Sequence, residues 1–228
     1  MADFEDANKR PDWQMTRLGD LFPDAVSCVF SSDPPVKIEL LAGENEAAKT
    51  MRTNRLREFA HGRTCARRAL ARLGIPACPI PVGDRRAPIW PEEIVGSISH
   101  CGQHAAAVAA YRTTTEGLGI DLETNDGLDR PLLDIVCRPE ELLWLDKFES
   151  DCVLDKHLFS AKESLFKCVW PLLQRFIDFQ EIEIRLNLAE NTYSAISHNS
   201  ELPDALIKQV RGRCMQHGGL IITSAYLA

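Results

Sequence analysis

Residues Phe159–Lys167 read F-S-A-K-E-S-L-F-K. Leu154, Leu158, Ala161, Leu165, Val169 and Leu172 recur around it every three or four positions, which is the spacing of one apolar stripe on a helix. The spacing predicts a helix over about 153–170, stopped at Pro171. Glu163 lies two positions past Ala161, roughly 200° around such a helix, so the stripe can face a core while Glu163 points away. Lys167 follows Glu163 at i+4 and shares its face. Alone, such a pair is an ordinary solvated ion pair worth a few tenths of a kcal/mol. Its meaning depends on the rest of the chain.

The nearest partner stretch is Gly117–Glu123, G-L-G-I-D-L-E. In a strand, residues two apart share a face, so Asp121 and Glu123 project together while Ile120 and Leu122 point the other way. Paired carboxylates repel unless a proton or a cation intervenes. Oxygen-only ligands favour a hard cation such as Mg²⁺. The two glycines do not make the dinucleotide fingerprint, which needs G-x-G-x-x-G opening a helix.

A second charge pattern lies upstream. From Lys49 to Arg72 there are eight basic residues and a single acidic one, Glu58. The whole chain carries −7, which argues against general affinity for nucleic acid. A local excess of positive charge in an acidic chain calls for a polyanionic ligand. Leu56, Phe59, Ala66, Leu70 and Leu73 give this segment a helical face over about 44–73, ended by Gly74 and interrupted near His61-Gly62. Ile75–Pro91 is rich in proline and reads as a loop carrying Arg85 and Arg86. Gly96–Cys101, G-S-I-S-H-C, reads as a turn that presents Ser99 and His100 to an anion.

The remaining periodicity is mixed. Strands are expected at 25–30, 103–111, 179–186, 193–198 and 220–227, and a short helix at 139–149. Residues 1–15 lack periodicity and read as a flexible N-terminus. The 228 residues are 45% hydrophobic and 26% charged, ordinary for a globular chain, with no apolar run of transmembrane length. The polar start M-A-D-F-E-D-A-N-K-R is neither a secretory nor a transit signal, so the expectation is a cytoplasmic protein with no membrane partner. The eight cysteines include no C-x-x-C and read as reduced thiols; Cys101 and His104 lack the second pair that a zinc site needs.

Three carboxylates with a surrounding shell of cations compose a phosphoryl-type transfer site. No Walker loop and no kinase signature is present. Residue types and spacing alone reach as far as a Mg²⁺-dependent enzyme acting on a phosphate-rich cofactor or nucleotide.

At these residues the chain resembles a known family. G-I-D-L-E followed by F-S-A-K-E-S-L-F-K is similar to the paired signature of the 4′-phosphopantetheinyl transferases. Three further elements resemble the Sfp/EntD/PptT-like branch: E-F-x-x-G-R-x-x-A-R-x-A-L-x-x-L-G at Glu58–Gly74, R-x-P-x-W-P at Arg86–Pro91, and G-S-I-S-H-C. W-P-L-L-Q-R-F-I-D-F after the signature adds to the likeness.

The resemblance implies an α+β fold of two similar halves, 16–115 and 116–228, related by a pseudo-twofold, with the active site in the cleft between them. It implies transfer of the phosphopantetheine arm of coenzyme A to a serine of an apo acyl or peptidyl carrier protein, releasing 3′,5′-ADP, with Mg²⁺ or Mn²⁺. It also implies roles. Asp121, Glu123 and Glu163 would hold the metal, Glu163 would serve as base directly or through water, and Lys162 and Lys167 would stabilise the reacting phosphate. Arg55 and Arg63 would meet the 3′-phosphate end, Ser99 and His100 phosphate oxygens, and Arg85 and Arg86 the adenine- and phosphate-facing loop. A monomer would form the whole cleft. The pathway, whether fatty acid, polyketide, siderophore or nonribosomal peptide, stays open.

Overall fold

The computed structural model describes residues 18–148 and 153–228. The segment 1–15, read as a flexible N-terminus, lies outside the described residues. Among the described residues, eight strands form two antiparallel sheets, and six α-helices accompany them. The protein is therefore α+β. The helices are α1 (Asn45–Ala48), α2 (Thr53–Arg72), α3 (Arg130–Val136), α4 (Pro139–Leu145), α5 (Leu154–Leu173) and α6 (Asp204–Gln209). The strands are β1 (Ser27–Ser31), β2 (Ile94–Cys101), β3 (His104–Tyr111), β4 (Gly117–Thr124), β5 (Ile182–Asn187), β6 (Thr192–Ser197), β7 (Arg211–His217) and β8 (Leu220–Leu227). The first sheet has the order β1-β3-β2 and the second β4-β8-β7-β6-β5. No helix among the described residues is long and apolar enough to cross a membrane.

Alternation along β3 shows how the layers separate. Ala105, Ala107 and Ala109 pack under α2 with Cys65, Ala66, Ala69 and Leu70, while Ala106, Val108 and Ala110 face a second cluster. That second cluster holds Leu118, Ile120 and Leu122 of β4 with Met215 and Ile222, so the two sheets meet there. A third cluster lies between α5 and the five-stranded sheet and contains Leu158, Ala161, Leu165 and Val169. The predicted face of β4 is thus the one that enters the core. The α5 stripe is buried except at Leu172, which is 40% exposed.

Several sequence expectations need correction. The 44–73 helix breaks at residues 49–52, not at His61-Gly62. Gly62 serves close approach instead: a Cβ there would stand 2.8 Å from Ile98 Cγ2 on β2. The segment 96–101 is a strand paired along its length with β3, not a turn. Ser97 and Ser99 face the unpaired edge of β4, where the Ile120 N–H donates to Ser97 Oγ at 3.1 Å and the Leu122 N–H to Ser99 Oγ at 3.2 Å. The serines satisfy backbone donors that no neighbouring strand pairs. Helix α5 runs through Pro171 and closes at Gln174, whose φ of 46° is left-handed. The 179–186 strand begins three residues later, after a 3₁₀ turn at Phe179–Glu181.

Candidate active site

Three elements converge on Asp121. Its Oδ1 accepts from Lys167 Nζ at 2.6 Å and from Ser99 Oγ at 3.1 Å, and its Oδ2 accepts from Ser160 Oγ at 2.9 Å. Lys167 Nζ also donates to the Ile120 carbonyl at 3.2 Å. The carboxylate therefore ties β2, β4 and α5 together. The glycines of G-L-G-I-D make this possible. A Cβ on Gly119 would overlap the Ser164 carbonyl, and one on Gly117 the Cys168 carbonyl, so only glycine lets α5 lie this close to β4.

Glu123 stands two residues on, half-buried, with Lys156 Nζ 3.6 Å from its Oε2. Burial pushes the Glu123 carboxyl up to about 7, and the charge of Asp121 adds to this while Lys156 and Lys167 oppose it. Burial likewise holds the Glu163 carboxyl above the usual carboxylate range, with Lys167 opposing and Asp121 adding. All three carboxylates share one electrostatic neighbourhood centred on Asp121. Their chemistry fits a hard divalent cation: oxygen donors only, crowded enough that the Asp121 charge adds to the raised pKa of Glu123 and of Glu163. They are not drawn in around a common point, for no group of three acidic, His or Cys side chains closes as a metal cage among the described residues.

Next to this cluster lies a concave basic site of about 500 Å³. All of its lining comes from residues 47–100, and Arg52, Arg55, Arg63, Arg86 and His100 carry its chemistry. Arg63 is buried, its guanidinium 4.4 Å from the Phe59 ring centroid and its Nε donating to the Ile80 carbonyl at 2.7 Å. Burial pushes its pKa down to about 10, which leaves it cationic at neutral pH. Arg55 bridges Glu58 at 3.2 Å and contacts His100 Nε2. Burial, and then Arg55, hold His100 below the ordinary imidazole range, with Glu58 opposing. His100 therefore acts near pH 7 as a neutral hydrogen-bonding group. It also feels Lys167 and Asp121, so it is where the basic concavity and the carboxylate cluster adjoin.

The neighbouring arginines of the loop part company. Arg85 and Arg86 both adopt left-handed backbone, with φ of 47° and 65°. For L-residues this costs about 1–2 kcal/mol each. The turn is closed by the Ala87 N–H donating to the Asp84 carbonyl at 2.9 Å and the Gly83 N–H to the Ala87 carbonyl at 2.8 Å. Arg86 faces the concavity, whereas Arg85 lies 5.2 Å over the Phe176 ring centroid.

Lys162 is not brought to the cluster. It is 3% exposed, and its ammonium donates to the Val136 carbonyl at 2.7 Å, to Glu141 Oε2 at 2.7 Å and to the Phe179 carbonyl at 2.9 Å. Those three bonds use its three protons. Of the residues singled out from sequence, Asp121, Glu123, Glu163, Lys167, Ser99 and His100 come together. Arg55, Arg63 and Arg86 line the adjoining concavity, and Lys162 and Arg85 stand apart.

Sequence reasoning passed over Glu58, Lys156, Ser160 and Thr223. Glu58 carried a signal as the single acid in a basic segment. Ser160 and Thr223 carried a fainter one, a hydroxyl inside an otherwise apolar face.

Comparison with known proteins gives consistent matches. Residues 43–110 match the family model described as the 4′-phosphopantetheinyl transferase N-terminal domain, and residues 117–216 match that of the 4′-phosphopantetheinyl transferase superfamily. The chain is 40% identical to the 4′-phosphopantetheinyl transferase Npt of Nocardia iowensis, over 73% of each chain. It is 37% identical to Svp of Streptomyces mobaraensis, over 87% of this chain and 83% of that one. It is 31% identical to PptT of Mycobacterium tuberculosis, over 91% and 94%.

Proposed function

The chain belongs to the 4′-phosphopantetheinyl transferase superfamily and is a transferase that acts on carrier proteins; from that premise we propose that it moves the phosphopantetheine arm of coenzyme A to a serine of an apo acyl or peptidyl carrier, releasing 3′,5′-ADP. The observation that carries this reading is the junction at His100, where a basic concavity adjoins the Asp121–Lys167–Glu163 cluster. In this reading the halves 16–115 and 116–228 are pseudo-twofold relatives, and the reacting groups meet between them in a monomer working in the cytoplasm.

Arg55, Arg63 and Arg86 hold the anionic end of coenzyme A by charge and forked hydrogen bonds. His100, neutral, hydrogen-bonds phosphate oxygen. Asp121, Glu123 and Glu163 would hold Mg²⁺ or Mn²⁺, which supplies Lewis-acid stabilisation of charge on the pyrophosphate. Lys167 adds a cation where non-bridging oxygens gain charge in the transition state. Serine is a poor nucleophile until a base takes its proton, and Glu163 takes it directly or through a water molecule. Ser99 fixes Asp121 from the β2 side. Lys162 acts at a distance, by fastening α5 to α4.

The test is direct. The protein is incubated with coenzyme A, Mg²⁺ and apo carrier proteins from fatty-acid, polyketide, siderophore and nonribosomal-peptide systems, and the intact mass of each carrier is measured. A gain equal to one phosphopantetheine is expected on at least one carrier. No gain on any of them rejects the proposal.

A further inference from the structure

A line of buried hydroxyls runs inward from Asp121. Ser160 Oγ donates to Asp121 Oδ2 at 2.9 Å and lies 2.9 Å from Thr223 Oγ1. Thr223 Oγ1, with one proton to give, also lies 2.7 Å from the Ser160 carbonyl and 3.0 Å from Ser164 Oγ. Ser164 Oγ stands 2.8 Å from the Tyr193 hydroxyl. Ser160, Ser164 and Thr223 are wholly enclosed, and Tyr193 is buried against Gly212.

The sequence builds this line in two ways. Thr223 sits directly across the β4–β8 ladder from Asp121, so both point to the α5 face. Ser160 and Ser164 are four apart on α5 and so present their hydroxyls to the same strand pair. Alanine or valine would fill the same volumes without any polar atom. The one charged member is Asp121, which the transfer reaction uses. An ionised carboxylate only accepts, so the proton between Ser160 and Asp121 is fixed on Ser160. That bond turns Oδ2 inward and leaves Oδ1 toward Lys167 and Ser99. The line ends inside the core at Tyr193, whose phenol burial holds well above its ordinary pKa. Because every member is buried, its part is to orient the carboxylate.

We propose that Ser160 and Thr223 are positioning residues for the transfer: they lock the Asp121 carboxylate from behind, so that its outward oxygen is preset for the metal and for Lys167. This rests on the reading of Asp121 as a metal ligand. Supporting groups behind a ligand typically set metal affinity by 10–100-fold.

The test uses Mn²⁺ as the probe, titrated into the coenzyme A-bound protein and read by loss of the free-ion EPR signal. Ser160→Ala is expected to weaken Mn²⁺ binding about tenfold. The Mn²⁺ concentration for half-maximal transfer should rise by the same factor, with KM for coenzyme A and carrier unchanged. Thr223→Val should weaken Mn²⁺ less, about threefold, and Thr223→Ser should restore it. Unchanged Mn²⁺ affinity in folded Ser160→Ala overturns the inference. If Ser160→Ala does not fold, the Thr223 pair decides: equal affinity in Val and Ser overturns it, and loss in Val with recovery in Ser supports it. Wild-type protein that transfers and binds Mn²⁺ while the variants match it defeats this inference alone. Wild-type protein that does neither defeats the catalytic reading and this inference with it.

Discussion

Two lysines of α5, five residues apart, sit in matching pairs and differ in everything else. Lys162 Nζ is 2.7 Å from Glu141, and Lys167 Nζ is 2.6 Å from Asp121. The first pair has 2% of each side chain exposed, whereas the Lys167 side chain is 26% exposed. Lys162 is closed in by two backbone carbonyls, and Glu141 also accepts from the Arg138 and Ile184 amides at 2.7 Å each. That pair is a strut joining α3, α4, β5 and α5. Lys167 stays partly open to solvent beside the carboxylate cluster, as the proposed role requires. The difference teaches that pair geometry does not assign a role; what surrounds the pair does.

Lys162→Met would show the contrast most strongly. It leaves Glu141 buried without its cation and should cost about 3–5 kcal/mol in urea unfolding. Adding Glu141→Leu should recover only part of this, because the Arg138 and Ile184 amides lose their acceptor. Lys167→Met should cost less than Lys162→Met, because its side chain is 26% exposed and the Asp121 carboxylate keeps the Ser99 and Ser160 hydroxyls. Equal losses for the two would break the comparison.

His157, on the same helix, sharpens it by asking what burial alone does. Burial pushes its pKa down to about 4, while its Nδ1 pairs with the Val153 carbonyl at 2.8 Å. The unfolded chain binds this proton near 6.5 and the folded chain does not. Stability from this group is therefore full above pH 6.5 and falls as pH drops toward 4, by on the order of 3 kcal/mol. Urea midpoints measured across this window should flatten in His157→Gln. An unchanged slope in the variant would remove His157 from the account.

A smaller effect separates the two loop arginines in the same spirit. Arg86→Ala should weaken coenzyme A binding about tenfold, and less at high salt, because the charge faces the concavity. Arg85→Ala should leave binding within about twofold, because that guanidinium lies over Phe176. Calorimetric titration at two salt concentrations checks both, and a reversed order would show the turn to be misassigned.

Much of this was legible in the chain. The alternation of I-D-L-E set the right face of β4 toward the core, and the α5 stripe left Glu163 off it. Lys162 departs from the expected wall, whereas Lys167 joins it, and the reason is also legible. Five residues turn a helix by about 140° beyond a full circle, so Lys162 and Lys167 cannot share a wall that Glu163 and Lys167 do share. Gly96–Cys101 looked like a turn because Gly and Ser disfavour strands. Pairing with β3 and the unpaired β4 amides override that preference. The Ser160–Thr223 contact joins residues 63 positions apart, and no local pattern announces it.

The most direct test is the rate of phosphopantetheine transfer per folded molecule, measured by intact carrier mass in Lys167→Met and Lys162→Met side by side. The account predicts a loss of about 100-fold or more for Lys167→Met. Lys162→Met should stay within about threefold once its folded fraction is corrected for. A transfer rate in Lys167→Met equal to wild type, or a loss in folded Lys162→Met as deep as that of Lys167→Met, would contradict it.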